Sequence, residues 1–182
     1  MCIVNATPVK LTGPKKVYKV LLLVRDKDGN DTIHSPYRTF QTWKIGVRNS
    51  EANSEGAVRQ ALRVHYKDWS TVNELHGGAF HTFIEKEEAD REKNLLLSFT
   101  NYVEHVALVF IHTKATRVGL VVGECTIPQD SEYVFEGELE GFYAMENGEY
   151  KSVSSKSMAS SELTLDRIFE EEGDSAYIEI MK

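Results

Sequence analysis

Three stretches of the chain, Val17 to Val24, Val103 to Thr113 and Leu120 to Ile127, are apolar at positions of both parities or nearly so. A short run of this kind, rich in Val and Ile, reads as a strand buried on both faces, so the three predict the centre of a sheet. The first ends at the turn sequence Asp28-Gly29-Asn30. Shorter extended pieces are expected at Ala79 to Phe83, Tyr133 to Glu136, Leu139 to Ala144, Tyr150 to Val153 and Ala176 to Met181. Pro128-Gln129-Asp130-Ser131 and Asn147-Gly148 supply turns between them.

Elsewhere the period changes. Val58, Ala61, Leu62, His65 and Trp69 recur at helical spacing, which predicts an amphipathic helix from about Ala57 to Tyr66. Thr82 followed three residues later by Glu85 fits a capping box, and Glu85, Glu87 and Glu88 suit the positive end of a helix dipole. A second helix is therefore expected from about Glu85 to Leu97. Leu165, Ile168 and Phe169, with Gly173 as a stop, predict a third, short helix. Helices in the middle with strands around them give an α+β class: a largely antiparallel sheet with two to three helices, forming one compact domain over residues 1–182. Exposed loops are expected near residues 49–56 and 152–161, the second because it is rich in serine.

Composition fits that picture: with 41% hydrophobic and 27% charged residues the chain is neither collagenous, disulfide-dense nor wholly disordered. No apolar run approaches the ~20 residues of a membrane span, and the N-terminus lacks a signal-peptide core, so no membrane association and a cytoplasmic location are expected. Cys2 and Cys125 have no CxxC spacing and read as structural thiols.

Charge changes the picture more. Residues 1–70 carry 12 Lys and Arg against 6 Asp and Glu, residues 71–182 carry 9 against 22, and the net is −7. Glu136, Glu138 and Glu140 alternate, and Glu170, Glu171 and Glu172 run together. Such a distribution steers a basic partner and argues against direct nucleic-acid binding, which needs a basic stripe.

Candidate chemistry lies in two clusters. In His76-Gly77-Gly78-Ala79-Phe80-His81-Thr82-Phe83, the paired glycines allow a ligand close to the backbone, and the histidines supply donors and acceptors near neutral pH. No phosphate-loop pattern accompanies them. His76 and His81, five apart, fall on opposite faces of a strand, and no HExxH occurs, so no metal site is expected. In Ser35-Pro36-Tyr37-Arg38, followed by Phe40, Trp43 and Gly46, a structural reading sends the aromatics of a proline-fixed turn into the core. A functional reading makes Tyr37 a stacking face and Arg38 an anion clamp.

The order Val17-Tyr18-Lys19-Val20, Ser35-Pro36-Tyr37, Trp43-Lys44-Ile45-Gly46, Gly78-Ala79-Phe80-His81-Thr82-Phe83 with Ala89, and Cys125-Thr126-Ile127-Pro128 with Ser131 and Tyr133 resembles a group of small uncharacterised phage and prophage proteins. The resemblance covers about residues 17–145 and implies context more than mechanism. More distantly, a strand ending in His-Thr, a helix carrying an alanine, then strands and an acidic segment is similar to the order in ADP-ribosyltransferase-like folds and RNA 2′-phosphotransferases.

Two function classes follow. In the first, a non-catalytic, phage-type accessory protein inhibits a host protein by covering its basic surface, with Glu170, Glu171 and Glu172 as contacts and Phe142 and Tyr143 as aromatic anchors. No cofactor is needed for this. In the alternative, implied by the second resemblance, a cleft binds or sequesters NAD or a related nucleotide. There His81 hydrogen-bonds the ligand, Tyr37, Arg38, His76, Gly77 and Gly78 line it, and a late glutamate stabilises an oxocarbenium-like transition state. Glu136, Glu138 and Glu140 all suit that last role, with Glu138 at their centre.

Overall fold

The computed structural model describes residues 3–37, 39–50, 74–75, 79–139, 143–152, 155–170 and 177–180. Along the chain come β1 (Ile3–Pro8), β2 (Lys15–Asp26), β3 (Asp31–His34), β4 (Thr42–Trp43), β5 (Arg48–Ser50), β6 (Glu74–Leu75) and β7 (Phe80–Phe83). Two helices follow, α1 (Lys86–Ser98) and α2 (Thr100–Phe110). After them run β8 (Ala115–Ile127), β9 (Val134–Leu139), β10 (Tyr143–Glu146), β11 (Glu149–Ser152), β12 (Ser155–Ser160), β13 (Glu162–Phe169) and β14 (Tyr177–Glu179).

Among the described residues every strand pairing is antiparallel, and the main sheet runs β5-β13-β8-β2-β7-β12-β9-β1-β6. β14 pairs with β8, β3 with β2, and β4 with β3. β10 and β11 form a separate hairpin whose turn, Asn147-Gly148, has φ of 51° and 78°; positive φ at both central residues matches the right-handed twist of the strands. The fold is α+β and dominated by its sheet, as the sequence pattern implied. No helix among the described residues is long and apolar enough to cross a membrane.

β2 and β8 form the axis. Their register runs from Lys15 opposite Ile127 to Asp26 opposite Ala115, and both are buried on both faces along their centres. Val20, Leu22 and Val24 join Val118, Leu120 and Val122 in one apolar cluster with Ala89, Leu96, Val106 and Phe110 of the helices. Val17, Leu21 and Leu23 join Val121, Cys125 and Ile127 in a second cluster, with Trp43, Phe80, Met158, Leu163 and Leu165. That second face is covered by the sheet itself. β12 and β13 are separated only by Ser161, so one length of chain borders β7 and β9 in its first part and β8 in its second. The path β13-β8-β2-β7-β12 is thereby joined end to end through a single residue, which forces the sheet to curl around the second cluster.

Four expectations need correction. Val103 to Thr113 is not a strand: Thr100–Phe110 is helical, with Tyr102, Val106 and Phe110 at i, i+4 and i+8 turned inward, and Leu108 and Val109 left exposed. An apolar run this short carries no decisive period, and β-branched content tipped the sequence reading the wrong way. Leu165, Ile168 and Phe169 lie in a strand, because a bulge between Leu165 and Arg167 inserts one extra residue opposite Cys125 and Glu124. Leu165 and Ile168 thus share a face at a spacing of three, which imitates a helix. Within residues 152–161, Ser155 to Ser160 form a central strand rather than a loop. The hydroxyls of Ser157 and Ser160 are buried yet bonded locally, to Ser155 O at 3.3 Å and Glu162 O at 2.8 Å. Thr82 does not cap α1; it is buried in β7, its Oγ1 donating to Met158 O at 3.3 Å, and Glu85 takes the N-cap position with no side-chain cap bond. The helix expected at Ala57 to Tyr66 lies outside the described residues, as does most of the loop expected at 49–56, of which Asn49 and Ser50 belong to β5.

Close packing around β8 sets a test. A Cβ on Gly123 would stand 2.6 Å from Leu165 Cδ1 and 2.8 Å from Leu21 Cδ1. Gly123→Ala should cost about 1–3 kcal/mol in denaturant unfolding, and Leu165→Ala in the same chain should make the added methyl less costly than it is alone.

Candidate functional site

α1 packs on β2 and β8 through Ala89, Glu92, Lys93 and Leu96, the stripe expected of a helix lying on a sheet. Two of these side chains are charged types. Lys93 is 1% exposed, its ammonium 3.8 Å from Asp90, and burial lowers its pKa. Glu92 is 5% exposed and sits on the side of α1 facing the turn after β3.

That turn is held at its base by the core. The amide of Ser35 donates to Gln41 O at 3.0 Å, and the indole N–H of buried Trp43 donates to Ser35 Oγ at 2.8 Å. His34 Nδ1 lies 2.6 Å from Thr39 O, and its ring meets Phe110 edge-on at 5.4 Å. From this base the chain reaches over the helices. The Tyr37 hydroxyl donates to Glu92 Oε1 at 3.1 Å, and the Tyr102 hydroxyl of α2 donates to Pro36 O at 2.8 Å. The two phenol rings meet edge-on at 6.2 Å. Lys19 of β2 donates to the carbonyl of His81 at 3.0 Å, and its charge acts on Glu92.

Electrostatics follow from this enclosure. Burial pushes the Glu92 carboxyl up to about 7, against the opposing pull of the Lys19 charge and the Tyr37 hydrogen bond. Burial, and then the Glu92 charge, raise both Tyr37 and Tyr102, so these phenols remain donors across the physiological range. The Glu92 carboxyl therefore sits among two phenols and an ammonium, with burial disfavouring its charged form and the Lys19 charge and the Tyr37 hydroxyl favouring it.

The structure draws together only part of what the sequence suggested. Tyr37 reaches the cluster, although by hydrogen bonding rather than as a free stacking face. Of the turn's aromatics only Trp43 enters the core; Tyr37 is 55% and Phe40 72% exposed, which corrects the structural reading of that turn. His81 is half-buried on β7 opposite Ala159, and the register carries its face through β12 to odd positions of β9, whereas Glu138 stands opposite Lys156. His81 and Glu138 therefore point to opposite faces of the sheet and form no shared constellation. Glu136 falls on the same face as Glu138. Arg38, His76, Gly77, Gly78, Glu140, Phe142, Glu171 and Glu172 lie outside the described residues; Glu170 is exposed, and Tyr143 opens β10. Burial pushes the Cys125 thiol up to about 12, which disfavours the thiolate. An open groove of about 690 Å³ runs between Val9–Leu11 and Gln129–Val134, and neither Tyr37, His81, Glu138 nor Glu170 lines it.

Glu92, Tyr102 and Lys19 were not among the site residues expected from sequence. One signal was present: Glu92 falls in the Ala89–Leu96 stripe of a helix otherwise read correctly, and an acid on an apolar stripe marks a buried carboxyl. No family model, curated protein or solved structure matches this chain.

The raised Glu92 pKa has a defined sign in stability. Between the ordinary value of 4.5 and about 7 the folded protein holds a proton that the unfolded chain has lost. The contribution is therefore fully present below pH 4.5 and lost as pH rises through 7, up to about 3 kcal/mol in all. Glu92→Gln, which keeps an acceptor for Tyr37, should flatten the fall in unfolding free energy between pH 5 and 8 and be the more stable form at pH 8, measured by urea titration at each pH.

Proposed function

We propose that this protein is a non-catalytic binding module that docks on another protein and inhibits it by covering a basic surface, as an accessory protein of phage type would. One observation carries this reading: the excursion between β3 and β5 displays Tyr37, Phe40, Ile45 and Val47, each 48–72% exposed, on backbone that is firmly tied down. Its second turn is closed by the amide of Val47 on Lys44 O at 3.2 Å, with Gly46 at φ 80° in a position that favours glycine. The Gly46 amide in turn bonds Leu165 O at 2.8 Å, which anchors the turn to β13. Several large apolar side chains held out on an ordered turn are pre-paid for docking, since little further entropy is lost when a partner covers them.

The charge distribution supports the identity of the partner. The acids of residues 71–182 outnumber the bases 22 to 9, so the long-range field favours approach to a basic surface, while the apolar turn supplies the short-range contact. The sequence resemblance to phage and prophage proteins points to a host protein as the target.

The turn can be tested apart from the fold. Phe40→Ala and Ile45→Ala should each weaken capture of the same host-lysate protein by about tenfold or more, as loss of an interface anchor does, with the melting temperature within about 2 °C of wild type. Thr12→Ala, on exposed surface elsewhere, should change neither. Raising salt should slow association. Capture that is indifferent to both turn variants would remove this surface from the reading, and heat on titration with NAD would favour the nucleotide alternative.

A further inference from the structure

We infer that the outer face of α2 is a contact between two copies of this chain, packed antiparallel about a two-fold axis at Leu108. α2 turns Val106 and Phe110 inward, and its opposite side shows Leu108, 66% exposed, with Val109 beside it at 37%. Glu104, Leu108 and His112 stand four apart, so they line one stripe along the helix. Ile111 keeps right-handed helical backbone, at φ −60° and ψ −31°, which carries the stripe on to His112. Glu104, His105, His112 and Lys114 are all exposed. An apolar centre thus has an acid one turn before it and a base one turn after it, and Lys114 adds a second base at that end.

That order is self-complementary. Across a two-fold axis the same patch meets itself, so with the helices antiparallel Leu108 meets Leu108, and Glu104, four before it, meets the second copy's His112, four after it. The reciprocal pair forms on the other side of the axis. An imidazole keeps an N–H donor in either protonation state, so His112 can serve a carboxylate in both. Parallel packing would set Glu104 against Glu104, and antiparallel packing also opposes the two helix dipoles. A basic partner suits this face poorly. The chain as a whole carries −7 and would draw such a partner in, yet here a single acid, Glu104, stands among His105, His112 and Lys114. The same local balance lets two acidic molecules approach at this place without pressing acid on acid. Once they meet, the exposed Leu108 and Val109 leave water, which supplies the attraction that the charges only align.

The contact needs no host protein; only its use, to carry two docking turns in one particle, rests on the binding reading above. One helix face is a small contact, below about 1,200 Å² in total, so a weak dimer with a dissociation constant of about 10–100 µM is expected. Sedimentation equilibrium of the whole chain, from about 5 to about 500 µM, should show the mass rising from one chain toward two. Leu108→Glu should stay monomeric throughout, with a melting temperature within about 2 °C of wild type because the side chain lies outside the core. Glu104→Lys should weaken association about fivefold or more, and adding His112→Glu to it should restore the wild-type constant to within about twofold, since each copy then carries the pair reversed. A wild type that stays monomeric at the highest concentration would overturn the contact and leave the face to a different partner. A dimer that Leu108→Glu leaves intact would overturn it by placing self-association elsewhere, and a charge swap that restores nothing would overturn the antiparallel two-fold. The swap decides this even if Leu108→Glu fails to fold.

Discussion

The antiparallel pairing of β2 with β8 runs the full length of both strands, and both are buried on both faces along their centres. A pair of that kind has no face for water, so something must cover each side. α1 and α2 cover one. The other is covered because β12 and β13 turn about Ser161 and bring the far side of the sheet back, so that Phe80, Met158, Leu163 and Leu165 meet Leu21, Leu23 and Cys125. Everything else in the molecule is positioned by those two coverings.

The curl makes particular demands on side chains. Where β13 crosses onto β8, Gly123 leaves room for the ends of Leu165 and Leu21, and a bulge at Leu165–Arg167 keeps Ile168 turned inward. β12, held between β7 and β9, carries Ser157 and Ser160, whose hydroxyls fold back on nearby backbone; the Tyr133 amide donates to Ser161 Oγ at 3.2 Å at the turning point. Small side chains that satisfy themselves let strands pack where larger ones would not fit. At the outer edge Phe169 lies under both Arg167 and Lys86, 4.6 Å and 4.9 Å from the ring centre, which ties the start of α1 to the end of β13.

The two coverings also create the candidate site. α1 must lie flat on β2, which drives Glu92 into the interface, and β3 must pair with the outer half of β2, which carries the following turn across the helices. A carboxyl and a loop that are 55 residues apart meet as a result. The same turn holds Tyr37 against Glu92 and Phe40 out in solvent, so an acid–base group inside the fold and an apolar surface outside it share one short piece of backbone.

Local pattern by itself determined the strands of the axis, the helix from Lys86 to Ser98, the Asn147-Gly148 turn and the α+β class, because apolar run length, helical stripe and positive-φ residues act within a few positions of themselves. Tertiary structure alone decided the rest. Val103 to Phe110 became a helix because the face of the sheet it covers accepts Val106 and Phe110 four apart, a preference its own sequence does not hold. Ser155 to Ser160 became a buried strand because β7 and β9 supply partners on both sides, and Leu165 to Phe169 stayed extended because β8 supplies one across a bulge. Glu92 acquired its near-neutral titration from burial beneath a turn distant in sequence, and His81 and Glu138 were kept apart by a register that only assembly sets. Burial and strand partnership are properties of the assembled sheet, and a side chain's pKa and facing follow from them rather than from its neighbours along the chain.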